Sequence, residues 1–223
     1  MPGRGGWLTP RERGYPRPMT KSCAQVEAIL DTLVRVSAAL KGAGVPFALT
    51  GGSAVYALGG VPSEHDVDVA VREQDVDRAV QTLVEAGMHP VETPLDWLRK
   101  VGDDDRTVDL IFRSVNQPVD DETLASAHNV KVGPIVVPVL PATTVIIDKL
   151  LVFGEHFCDY TWALPAARAL REQIDWDRVR SEVGHSPFAE AFLLLADRLG
   201  LSEPPQGKPV RVATPMQTKE RAS

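Results

Sequence analysis

Apolar residues first recur at helical spacing in Val26, Ile29, Leu30, Leu33, Val36 and Leu40, and Gly42 and Gly44 close that helix. Pro46–Thr50 reads as a short strand running into Gly51-Gly52-Ser53, and a short helix over Ala54–Leu58 ends at Gly59-Gly60. The period then drops to two in Asp66–Val71, the signature of a half-buried strand. Val76, Val80, Leu83 and Val84 mark an amphipathic helix stopped at Gly87. Pro90–Asp105, which carries Trp97, shows no clear period and reads as a loop. Thr107–Phe112 and Ile135–Leu140 predict two more strands. Pro138 cannot donate to a ladder, so the second is expected at a sheet edge or a bulge. From Ala142 onward the pattern is helical, over 142–154, 163–173, 175–183 and 187–199.

The expected fold is therefore α/β (α+β): a head with a mixed sheet over residues 21–140, followed by a C-terminal helical region over 141–201. Residues 1–20 and 202–223 are rich in Pro, Gly and basic residues, lack periodicity and are expected to be disordered tails. Met19 stands as an alternative start. The body has 43% hydrophobic and 24% charged residues, which excludes a wholly disordered, collagenous or coiled-coil chain. No apolar run approaches the ~18 residues of a membrane span, so no membrane partner is expected. Two cysteines, Cys23 and Cys158, cannot staple a chain of 223 residues, and a reducing cytoplasm is the natural setting. Net charge is −6, but residues 1–20 carry +3 and residues 203–223 carry +2, leaving −11 on the body. An acidic body disfavours strong non-specific nucleic-acid binding and attracts cationic molecules, while the basic tails retain some capacity for phosphate contact.

The strongest local feature is Gly51-Gly52-Ser53 followed by Asp66-Val67-Asp68. Carboxylates one residue apart on a strand face the same way, and like charges so placed resist ionisation unless a cation sits between them. Mg²⁺ is held by one or two carboxylates together with substrate phosphates. Asp109, inside the apolar run Thr107–Phe112, needs a reason to be there, and completing a three-carboxylate cluster for two-metal phosphoryl transfer supplies one. Each piece alone is weak, since Asp-x-Asp arises by chance in acidic proteins and Gly-Gly-Ser is a common turn. The order raises the case: strand, glycines opening a helix where backbone N–H groups meet phosphate, Asp-x-Asp strand, later strand Asp. His156, Cys158 and Asp159 lack the fourth ligand that structural zinc needs. Cys158 is expected to be buried or half-buried, His65 to face away from Asp66, and Trp97, Trp162 and Trp176 to pack rather than to stack bases.

This order resembles the DNA polymerase β-like nucleotidyltransferase superfamily over about residues 24–140, and within it the AbiEii/MenT-type bacterial nucleotidyltransferases, many of them toxin components. That branch has a downstream helix with a Lys and a later Asp; here Lys149 and Asp159 fit, with His156-Phe157-Cys158 in place of an Arg-rich stretch. The resemblance implies an enzyme that moves a nucleoside monophosphate from a nucleoside triphosphate to an acceptor hydroxyl. Asp66, Asp68 and Asp109 would hold two Mg²⁺ ions, with Asp109 also serving as base. Gly51, Gly52 and Ser53 would bind the phosphates, Lys149 would offset their charge, and Asp159 is an additional candidate. On its own helix, Lys149 is equally a residue that runs its stem out to solvent. Three readings stay open: a tRNA-directed toxin with an antitoxin partner, an enzyme acting on a small hydroxylated molecule such as an aminoglycoside, and a non-catalytic binding module or antitoxin on the same fold. Segment 90–105 is in this frame a loop on the substrate side.

Overall fold

The computed structural model describes residues 23–61, 66–115 and 117–202. The expectations for both tails, for the Cys23 side chain and for His65 fall outside the described residues. Helix α1 (Cys23–Gly42) precedes strand β1 (Phe47–Leu49), helix α2 (Gly51–Ala57), strand β2 (Asp66–Val71) and helix α3 (Val76–Glu85). Strands β3 (His89–Val91), β4 (Leu98–Asp103) and β5 (Arg106–Ile111) follow, then helix α4 (Asp121–Ala125) and strands β6 (His128–Val132) and β7 (Ile135–Val139). Helices α5 (Ala142–Leu151), α6 (Tyr160–Leu170), α7 (Trp176–Val183) and α8 (Pro187–Arg198) are the last elements of the described residues. Among the described residues no helix is long and apolar enough to cross a membrane.

The seven strands of the described residues form one mixed sheet in the order β3-β4-β5-β2-β1-β7-β6. β2 runs antiparallel to β1 and parallel to β5, while β4 lies antiparallel to β5. Ile29, Leu33, Val36 and Leu40 form the buried stripe of α1, as their spacing requires. Helix α5 is buried almost all round, through Val145, Ile146, Ile147 and Leu150, and packs on α2, α6, α7 and α8. One continuous apolar core therefore joins the sheet to the C-terminal helices. Capping fixes the helix starts: Asp120, Asp159, Asp175 and Ser186 each accept a backbone N–H of the first turn.

Three expectations are corrected. Segment 90–105 contains β3 and β4 rather than a loop: Lys100 and Asp103, both polar, occupy inward or half-buried positions of β4 and break the apolar alternation that would have marked a strand. Residues 135–139 lie one strand in from the edge, between β1 and β6. Pro138 is tolerated there because its nitrogen lies on the same side as that of Leu140, toward β1, and β1 pairs with β7 only at Leu49↔Val139. Cys158 is exposed rather than buried, and Trp162 is exposed too, because both belong to the turn and first turn of α6, outside the stripe formed by Ala163, Ala166, Ala167 and Leu170.

Candidate active site

The site is a consequence of strand register. In the parallel ladder Asp68 lies beside Asp109 and Asp66 beside Thr107, and in the next ladder Lys100 lies beside Asp109. Side chains of laterally paired residues share a face, so Asp68, Asp109 and Lys100 form a row across β2, β5 and β4, with Asp66 two positions away on the same face. Carboxylate oxygens of Asp66, Asp68 and Asp109 lie within 4.8 Å of one another. The three aspartates expected to cluster do so.

The β1–α2 turn closes one side of this row. Gly51 has φ +52°, and a Cβ there would overlap the Asp68 carboxylate, so both the backbone and the packing demand glycine. The Gly52 N–H donates to Asp68 Oδ2 at 2.7 Å, and the buried Ser53 hydroxyl accepts from the Asp68 N–H at 2.9 Å. Thr50 N–H also donates to the Asp68 carbonyl oxygen at 3.1 Å. Helix α2 begins at Gly51, three residues earlier than the apolar pattern implies, and it is this early start that aims the Gly52 amide at the carboxylate.

Electrostatics mark the site as short of positive charge. Burial, reinforced by Asp66 and Asp109 against the Gly52 hydrogen bond and Lys149, pushes the Asp68 carboxyl from 3.8 up to about 7. Burial also raises Asp109, opposed by the Lys100 ammonium, which donates to both its oxygens at 2.6 and 2.7 Å. Three converging carboxylates are hard oxygen donors with excess negative charge, and they fit a divalent cation of the Mg²⁺ type.

Beside the triad lies a cavity of about 750 Å³ whose walls include Gly51, Trp97, Arg113, Val145, Asp148 and Lys149. Lys149 thus faces the cavity, close enough to Asp68 to lower its pKa, rather than running out to solvent. Trp97 lies on the same wall, immediately before β4, so the segment read as a loop contributes this side chain to the cavity. Asp148 accepts from the Ser114 hydroxyl at 3.2 Å, and burial raises its carboxyl to about 6. Asp159 is not among the residues lining this cavity; it caps α6, accepting from Thr161 N–H at 2.9 Å.

Lys100 and Asp148 were not visible as site residues in the sequence. For Lys100 a signal existed: Asp104-Asp105 is a two-residue turn with φ +56° at Asp104, and folding a hairpin about it places Lys100 opposite Asp109. Asp148 lacked such a signal, because its neighbour Ser114 is 34 positions away.

Residues 18–204 match the family described as uncharacterised nucleotidyltransferases. No curated protein matches the sequence. Among solved structures, the solution structure of the antibiotic-resistance factor ANT(2″)-Ia superposes with a TM-score of 0.54 at 15% identity, over 78% of this chain and 96% of that one. The crystal structure of ANT(2″)-Ia in complex with adenylyl-2″-tobramycin gives 0.54 at 17% identity, over 75% and 98%. At these identities the likeness is one of fold. With the family match spanning most of its length, the chain belongs to this nucleotidyltransferase family.

Proposed function

We propose that this enzyme transfers a nucleoside monophosphate from a nucleoside triphosphate to a hydroxyl of a small cationic molecule of the aminoglycoside kind. The observation that carries the reading is the cavity of about 750 Å³ beside the triad, a volume typical of small-molecule sites. Trp97 and Val145 offer it apolar wall, and Asp148 offers a half-buried carboxylate for an ammonium group. A body bearing −11 adds long-range attraction for a cation. The similar ANT(2″)-Ia structure contains an adenylylated tobramycin, which supports the same class of acceptor.

In this reading Asp66, Asp68 and Asp109 would hold Mg²⁺, which when bound supplies charge neutralisation to the triphosphate. Gly51, Gly52 and Ser53 would form the turn against which the phosphates lie, and Lys149 would contribute its ammonium from the cavity wall. Asp109, buried and hydrogen-bonded to Lys100, would take the hydroxyl proton. Catalysis then rests on positioning and fixed charge. A nucleoside triphosphate substrate and an exposed free thiol at Cys158 suit a cytoplasmic setting.

The AbiEii/MenT-type resemblance supports the competing acceptor, tRNA, with the chain as toxin and an antitoxin as partner. Incubating the full chain with each nucleoside triphosphate, Mg²⁺ and either tobramycin-like aminoglycosides or total tRNA separates the two. A mass gain of one nucleoside monophosphate on the aminoglycoside is expected. Labelled tRNA with an unchanged aminoglycoside would transfer the function to the RNA reading, and no product with either would leave a binding module.

A further inference from the structure

Trp97 stays 38% exposed, and it does so on the wall of the cavity beside the triad. Val115 and Val152, both exposed, line the same cavity, so three large apolar side chains share one concave surface. The backbone that carries Trp97 is tied down. Its carbonyl oxygen accepts from the Phe112 and Arg113 N–H groups at 3.1 and 3.2 Å, and the Asp96 carbonyl accepts from the Arg113 guanidinium. That guanidinium also pairs with the Asp96 carboxylate at 3.6 Å and lies 5.5 Å from the centroid of the buried Phe112 ring. Two consecutive carbonyls are thereby fastened to the residues that follow β5. Along β5, Asp109 and Ile111 share a face about 7 Å apart, and Ile111 and Arg113 line the cavity. Gly51 and Lys149, read as phosphate-binding, belong to α2 and α5. Trp97 therefore groups with Asp109, the prospective base, rather than with the phosphate residues.

We propose that Trp97 is the platform on which one saturated, hydroxyl-bearing ring of the acceptor lies, and that it selects which hydroxyl meets Asp109. The C–H face of such a ring is apolar and packs on an indole, while its rim of hydroxyl and ammonium groups stays free for polar partners such as Asp148. Arg113 is a positioning residue that acts through the Asp96–Trp97 backbone. This proposal rests on the small-molecule reading given above.

Kinetics of the full chain with tobramycin, Mg²⁺ and the nucleoside triphosphate it uses, with product positions read by nuclear magnetic resonance, test it. Trp97→Leu keeps apolar bulk without a flat face. KM for tobramycin should rise about tenfold and the nucleotidyl group should spread over more than one hydroxyl, while KM for the triphosphate holds. Trp97→Phe should restore most of the affinity and the single product. Arg113→Met should spread the product with a smaller rise in KM. Tobramycin alone, which does not absorb where tryptophan does, should shift the emission of wild type and leave that of Trp97→Phe unmoved. A folded Trp97→Leu protein with wild-type KM and a single product overturns the proposal and leaves the acceptor class standing. A rise confined to KM for the triphosphate also overturns it, making Trp97 a nucleobase platform. Failure of both Trp97 variants to fold overturns it too, since the indole would then serve packing alone. Wild type that transfers to no aminoglycoside overturns the acceptor class and the platform together.

Discussion

Asp103 on β4 and Asp109 on β5 are both buried in the same sheet, at opposite ends of one hairpin, and they are held in opposite ways. Asp103 accepts from the Thr32 hydroxyl at 2.5 Å and from the Arg35 guanidinium, with Arg106 within 4.0 Å, and Thr32 in turn accepts from Arg106 at 2.7 Å. Two cations and a hydroxyl surround one acid, tying α1 to the sheet. At the other end three acids crowd together, Lys100 contacts Asp109, and the Asp68 carboxyl rises to about 7. A buried acid whose charge is satisfied belongs to the architecture. One whose charge is left over belongs to chemistry that brings its own cation.

The sharpest way to break this contrast is Asp68→Asn. Nucleotidyl transfer should fall by ~10³-fold or more, because a ligand of the cation that offsets the phosphates' charge is lost. Stability should move the other way. The folded protein without a cation keeps on Asp68 a proton that the unfolded chain releases near its ordinary 3.8. The stability this contributes is therefore full below pH 4 or so and is lost as the pH rises to about 7. In EDTA at pH 8 the variant should melt about 5 °C above wild type, and at pH 4 the two should coincide. Mg²⁺ should raise the melting temperature of wild type only. Equal melting curves at pH 8 would show that the triad carries no unbalanced charge.

Asp103→Ala tests the other end and should do the reverse. Breaking a buried pair leaves Arg35 and Thr32 without this acceptor and should cost about 3 kcal/mol, visible as a lower denaturation midpoint. Transfer per folded molecule should stay near wild type. A large loss of turnover at full folding would mean that the two ends are coupled through the hairpin.

The same contrast explains what could be read from the sequence. Asp66–Val71 and Thr107–Phe112 were legible because apolar residues alternate with acids that face one way, helix α5 because it is apolar nearly throughout, and α7 and α8 because their buried faces are apolar and their starts capped. β4 was not legible: Lys100 and Asp103 answer to partners on β5 and α1, so the strand lacks the alternation that burial by apolar packing produces. Pro138 misled for a related reason, since only the full sheet order shows how short the β1 ladder is on its side. The triad was visible as spacing, while Lys100 and Asp148 became site residues only through tertiary neighbours.

Lys149 sharpens the comparison from the cavity side. Lys149→Met keeps the volume and apolar stem of the side chain, so the melting temperature should change little while transfer drops by ~10²-fold, the scale of one charge contact in the transition state. Lys149→Arg should recover part of it, because a planar fork does not occupy the place of a point charge. Full activity in Lys149→Met would remove this ammonium from the phosphate site and leave the three aspartates untouched.

The smallest effect is expected at Asp148, where the acceptor proposal is most exposed. Burial raises this carboxyl to about 6, against the hydrogen bond from Ser114, with Glu182 adding to the rise. It is ionised at pH 8 and largely protonated at pH 5, so a cationic acceptor should bind more weakly as the pH falls across that range. Asp148→Asn removes the charge at every pH. KM for the aminoglycoside should rise about tenfold at pH 8, by the loss of one partly screened ion pair, and match wild type at pH 5. KM for the nucleoside triphosphate should hold at both. Stability follows the same sign as at Asp68: the Asp148 contribution is present below its unfolded pKa and lost as the pH rises through about 6, so the variant should melt a few degrees higher at pH 8 and equally at pH 4. A stabilised variant with unchanged acceptor KM would show a buried acid without a cationic ligand. That result would turn the cavity toward a neutral or anionic acceptor, and toward RNA in particular.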